Sequence, residues 1–134
     1  MTILSEIEGI GAADVERLSA AGISTVETLL NAGGTALGRA ELAGKTGIRH
    51  DLILEWITHA DLFRIDGIGR EYADLLGAAG VDSIPELAQR NPANLTAAMA
   101  RFNEEKKLVR SLPGLQQVES WIEQATNIEK AVSH

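Results

Sequence analysis

The sequence predicts an all-α protein made of two tandem copies of one small helical unit, and three observations carry that prediction. Of 134 residues, 45% are apolar but only 4% are aromatic. That palette suits close helix packing better than sheets, which favour β-branched and aromatic residues. No stretch alternates apolar and polar residues at period two for long enough to form a strand. The third observation is an ungapped internal duplication: Leu4 to Leu30 aligns on Leu62 to Ala88 at an offset of 58, with ten identities in 27 positions. Leu4, Ile7, Gly9, Ile10, Gly11, Leu18, Ala20, Ala21, Gly22 and Leu29 match Leu62, Ile65, Gly67, Ile68, Gly69, Leu76, Ala78, Ala79, Gly80 and Leu87. Both copies also end alike, with Trp56-Ile57 and Ala60 recurring as Trp121-Ile122 and Ala125 at an offset of 65. The second copy therefore carries about seven extra residues in its middle. The expected division is residues 1–61 for the first repeat and 62–134 for the second, the latter closing in a frayed tail after Ile128.

In the first copy a short lead-in reaches Ile7, and Gly9-Ile10-Gly11 turns the chain into a helix over roughly residues 12–21. Val15 and Leu18 share a face of that helix, and Gly22 follows as a left-handed cap. Ser24 and Glu27 have the spacing of a capping box for a helix ending near Ala32. Gly33-Gly34 breaks the chain before a helix over Leu37 to Ala43. After Gly47 the last helix carries Leu52, Ile53, Trp56 and Ile57 on one face. The second copy repeats this plan. Ser83 and Glu86 form its capping box with Pro85 in the first turn. Asn91-Pro92 opens the next helix, and Pro113-Gly114 precedes the helix of Trp121.

Composition narrows the function classes. There are no cysteines, which excludes disulfides and thiolate metal sites. His50, His59 and His134 have no metal-ligand spacing and are expected at the surface. The opening residues, Met1 to Glu6, lack a signal-peptide pattern, and no apolar run approaches a membrane span. A cytoplasmic protein with no membrane partner is the expectation. No nucleophile elbow, phosphate-binding Walker loop or catalytic cysteine is present, so no enzyme and no cofactor are expected. The net charge is −7. Residues 1–61 hold four basic and nine acidic side chains, and the remainder eight and ten, so any polyanion surface must be local and belongs more naturally to the second half.

The two turns, Leu62-x-x-Ile65-x-Gly67-Ile68-Gly69 and Leu4-x-x-Ile7-x-Gly9-Ile10-Gly11, resemble the helix-hairpin-helix motif. Two glycines permit a tight connection without a side chain over the backbone. The residue between them, Ile10 or Ile68, plugs the groove between the flanking helices. The free N–H groups at the start of the following helix are a natural seat for a phosphate oxygen. Each copy also holds a degenerate second hairpin, around Thr46-Gly47-Ile48 and around Leu112-Pro113-Gly114-Leu115. The stretches Tyr72-Ala73-Asp74-Leu75-Leu76, Ala79-Gly80-Val81-Asp82, Leu87 to Leu95 and Asn103 to Arg110 are similar to an uncharacterised bacterial family with tandem helix-hairpin-helix repeats. That resemblance implies two small helical bundles of the SAM-domain-like kind, paired as in DNA-repair proteins, and supplies no activity.

Two functions are compatible with these residues. The first is sequence-independent DNA binding through Gly67, Ile68, Gly69 and Arg70, with Arg64 just before the turn. Lys45, Gly47 and Arg49 would act at the degenerate hairpin of the first copy. Lys106, Lys107 and Arg110, spaced i, i+1 and i+4, would support them from one helical face. The Gly9-Ile10-Gly11 turn has acidic neighbours and no cation, which would repel a phosphate, and the residues leave open whether it binds anything or simply joins helices. Trp56 and Trp121 are expected in the core rather than stacked on bases. The second function is a protein-interaction or scaffold module that kept the fold and lost the basic surface, with its contact face on the first copy.

Overall fold

The computed structural model describes residues 2–7 and 9–133. Glu8, placed by the sequence beside the first glycine turn, and His134, placed at the surface, lie outside the described residues. A short 3-10 turn at Leu4–Glu6 is followed by α1 (Ala12–Ala20), α2 (Val26–Gly33), α3 (Ala36–Thr46) and α4 (His50–Leu62). Then come α5 (Arg70–Ala78), α6 (Ile84–Ala88), α7 (Pro92–Lys106) and α8 (Leu115–Asn127). The protein is all-helical. Its β-type pairing among the described residues is an isolated bridge between Ile3 and Thr25. None of the described helices is long and apolar enough to cross a membrane.

The chain divides into two compact units, Met1–Asp61 with Lys130–His134, and Leu62–Glu129. The duplication in the sequence reappears in the backbone: α5 begins and ends 58 residues after α1. Gly9 and Gly67 have φ of +94° and +96°, a region closed to most side chains, and Gly22 and Gly80 follow at +87° and +91°. The residues between the turn glycines, Ile10 and Ile68, are buried to 8% and 4% exposure. Trp56 and Trp121 are each 1% exposed.

In unit 1 the apolar face of α4 turns inward, with Ile53, Trp56, Ile57 and Ala60 buried beside Leu18, Leu29 and Leu42 as the core of that unit. Here α2 and α1 both pack on α3. Gly33 leaves no room for a larger residue, because a Cβ there would lie 2.5 Å from the Ile57 side chain. The cap of α2 differs from the sequence expectation. Thr25, not Ser24, is the N-cap; it accepts from the Thr28 amide at 3.1 Å, and the Thr28 hydroxyl accepts from the Thr25 amide at 3.0 Å. Two adjacent hydroxyls could each fill the role, and the backbone decides. Val26 N–H donates to the Thr2 carbonyl and Ile3 bridges Thr25, which holds Thr25 extended. Glu27 instead accepts from the Thr2 amide at 2.7 Å. What burial it has raises its pKa, but hydrogen bonds from its own backbone and from Thr2 outweigh this and hold the carboxyl below its ordinary value.

The segment after Ile128 does not fray. It returns to unit 1, where Val132 is 2% exposed and the Ser133 amide donates to the Gly34 carbonyl at 2.8 Å. Its anchor is Arg39, which no pattern in the sequence singles out. Arg39 is 2% exposed, and its guanidinium donates to the carbonyls of Gly33 (2.9 Å), Gly34 (3.1 Å) and Ser133. A buried guanidinium needs such acceptors, and a strap of chain supplies one of them.

Unit 2 is built around Leu62, Ile65, Ile68, Leu76, Val81, Leu87, Leu95, Met99, Val118 and Trp121. Ser83 caps α6 by accepting from the Glu86 amide at 3.3 Å, and Asn91 caps α7 with Pro92 in its first turn. α8 packs on α6 and α7, and α5 packs on α7.

Candidate nucleic-acid interface

A helix start offers its first amides to whatever lies beyond it, unless a side chain takes them first. Gly69 and Gly114 are the N-cap residues of α5 and α8, and neither helix has a side-chain cap. The intrahelical ladders open with Ala73 to Gly69 and Val118 to Gly114. The amides of Arg70, Glu71 and Tyr72 in one helix, and of Leu115, Gln116 and Gln117 in the other, therefore lie ahead of the ladder.

Two contacts tie the first turn of α5 to α8 and to the loop before it, and α8 also approaches Gly67. The Tyr72 hydroxyl, on the first turn of α5, donates to the Ser111 carbonyl at 2.9 Å, just before the Pro113-Gly114 turn. The Tyr72 and Trp121 rings lie 5.2 Å apart at 54°. On the first turn of α8, Gln117 reaches Gly67: a Cβ built on that glycine would meet the Gln117 amide nitrogen at 3.7 Å and Trp121 Nε1 at 2.9 Å. Tyr72 and Gln117 were not singled out in the sequence, since a lone Tyr or Gln in a helical pattern gives no signal of what it reaches.

The cations fall in three groups. Arg70 is exposed at the first position of α5. Arg64 is half-buried and donates to the Glu129 carbonyl at 2.6 Å, so it ties down the chain beyond α8. Lys106, Lys107 and Arg110 are all exposed, but they do not share a helical face. α7 ends at Lys106, Lys107 is a left-handed C-cap with φ of +51°, and Arg110 lies in the following loop. The helix stops because Asn103 captures Val109. Its side-chain amide donates to the Val109 carbonyl at 3.1 Å and accepts from the Val109 amide at 2.9 Å, while Val109 itself is buried.

In unit 1 the turn around Thr46-Gly47-Ile48 has fewer free amides. Gly47 is the left-handed cap of α3, and its amide donates to Ala43. The Ile48 amide donates to the Thr46 hydroxyl at 3.2 Å. Lys45 and Arg49 are exposed, and Arg49 pairs with Asp51 at 3.3 Å. Two amides that a phosphate would use are thus already occupied. The Gly9-Ile10-Gly11 turn leads into α1, which has no side-chain cap and Asp14 in its first turn. Both tryptophans are closed off from bases by burial. No group of three or more His, Asp or Glu side chains that could hold a metal ion occurs among the described residues.

The protein is therefore a duplicated, all-helical chain in which paired glycines feed exposed helix starts. It belongs to the family described as a domain of unknown function (DUF4332), whose model matches residues 8–128. No curated protein and no solved structure matches the chain.

Proposed function

We propose that this is a non-enzymatic, cytoplasmic, sequence-independent DNA-binding module of the helix-hairpin-helix type, and that its grip lies in unit 2. The observation that carries this reading is the coupling of two uncapped helix starts, at Gly69 and Gly114, through the Tyr72–Ser111 hydrogen bond, with Arg70 and Arg110 exposed beside them. Amides and guanidinium groups in that arrangement suit phosphate oxygens, and none of them reads base identity. Ile68 acts from beneath, filling the turn so that Gly67 and Gly69 present backbone. Lys106 and Lys107 add positive charge from the end of α7. In unit 1, Lys45 is the cation best placed to add a contact, because Arg49 is shared with Asp51. The net charge of −7 makes the field local, so binding should be modest and strongly dependent on salt.

A second reading, a protein-interaction module, is favoured by unit 1, where Leu37 is 71% exposed among an excess of acidic side chains. Fluorescence anisotropy of a labelled duplex separates the two. On the DNA reading, log affinity falls against log salt with a slope of about −2 to −4, as for two to four phosphate contacts. An Arg70→Glu, Arg110→Glu variant should lose at least about tenfold in affinity at low salt. Absence of binding by the wild-type chain at tens of micromolar (roughly, a non-specific affinity) would transfer the function to a protein partner.

A further inference from the structure

We infer that the segment from Lys106 to Leu115 is a wedge for DNA whose bases are already unpaired or unstacked. This rests on the DNA reading above and adds to it which form of DNA is favoured. The segment is held, not loose. Lys107 donates to the Asn103 carbonyl at 2.8 Å, the Asn103 side chain grips Val109 through both its backbone groups, and Tyr72 fixes the Ser111 carbonyl. Val109 and Pro113 are buried, while Arg110, Leu112 and Leu115 face outward. Leu112 and Leu115 are 46% and 45% exposed, on either side of a proline that fixes its own φ.

The outward halves of Leu112 and Leu115 are apolar surface that the fold itself leaves uncovered. Their surroundings identify the occupant. Three exposed cations, Lys106, Lys107 and Arg110, lie within the same ten-residue stretch, in a protein of net charge −7. The exposed Glu104 and Glu105 precede this stretch, but from Lys106 to Leu115 it carries no acid, and that run of positive charge is complementary to a polyanion. Leu37, the most exposed leucine of unit 1, lies in a helix whose exposed charges, Glu41 and Lys45, are of opposite sign. A leucine cannot hydrogen-bond phosphate, so on a nucleic acid its partner is the face of a base. In an intact duplex those faces are covered, and inserting an apolar side chain costs the unstacking of a step. A mismatch bubble already lacks much of that stacking.

The test titrates the full chain against a labelled duplex and against the same duplex carrying a short central bubble of mismatches. The wild-type protein should bind the bubble at least about tenfold more tightly. A Leu112→Ser variant, altered at an exposed position outside both helix starts, should lose most of that preference while keeping its affinity for intact duplex within about twofold. Equal affinity of the wild type for both DNAs overturns the wedge and leaves the phosphate grip standing. A preference that survives in the serine variant overturns it too. Failure to bind either DNA overturns the wedge together with the reading on which it rests.

Discussion

Gly67→Ala is expected to destabilise unit 2 by about 3 kcal/mol, roughly twice the loss from Gly9→Ala in unit 1. The two glycines are equivalent in the repeat and have nearly the same φ, +96° and +94°. Each substitution therefore carries the same backbone cost of holding an L-residue at positive φ, about 1–2 kcal/mol. The difference lies in what the new methyl group meets. At Gly9 it would stand 3.6 Å from Trp56 Nε1, an ordinary contact, and at Gly67 only 2.9 Å from Trp121 Nε1. Trp121 cannot give way cheaply, because it is 1% exposed and packed against Tyr72. Thermal unfolding of the two single variants, with hydrogen exchange to assign each loss to its unit, checks the comparison. Equal losses would show that Trp121 is freer to move than its burial indicates.

The second large effect is expected at Arg39. Removing its guanidinium by Arg39→Ala leaves the carbonyls of Gly33, Gly34 and Ser133 without that donor, and it empties the volume of a fully buried side chain. A loss of about 3 kcal/mol in the stability of unit 1 follows from buried acceptors left short of partners. Arg39→Met keeps much of the packing and should recover part of the cavity cost but none of the hydrogen bonding. The expected signature is local: the Ser133 amide, bonded to Gly34, should lose its exchange protection in both variants. If protection at Ser133 survives Arg39→Met, Val132 alone holds the strap.

The duplication was the most legible part of this fold. Identical glycines at fixed spacing required identical turns, and α1 and α5 match residue for residue at the offset of 58. Buried faces were legible for the same reason, since the spacing of Ile53, Trp56 and Ile57 leaves one way to turn α4. What sequence could not show was settled by contacts distant along the chain. Ser24 and Thr25 are equally good caps, and the choice between them depends on Thr2 and Ile3, more than twenty residues away. Lys106, Lys107 and Arg110 have helical spacing and good helix formers around them, yet Asn103 ends the helix by seizing Val109. The tail looked like polar fraying because the acceptor-hungry side chain beneath it, Arg39, sits 94 positions from Ser133. At the candidate interface the glycine turn of unit 2 and the place of Arg70 just after it were readable from the repeat. The coupling through Tyr72 and the outward leucines were not, because both depend on how the loop before α8 is held.

The most direct test of the two-hairpin grip is an amide proton–nitrogen correlation spectrum of the full chain, recorded as a short duplex DNA is added at low salt. The largest shifts should fall on Gly69 to Tyr72 and on Gly114 to Gln117, moving together along the titration, with smaller changes at Lys107 and Arg110. Shifts confined to unit 1, or no shift at DNA concentrations well above that of the protein, would contradict the proposal that unit 2 grips phosphate.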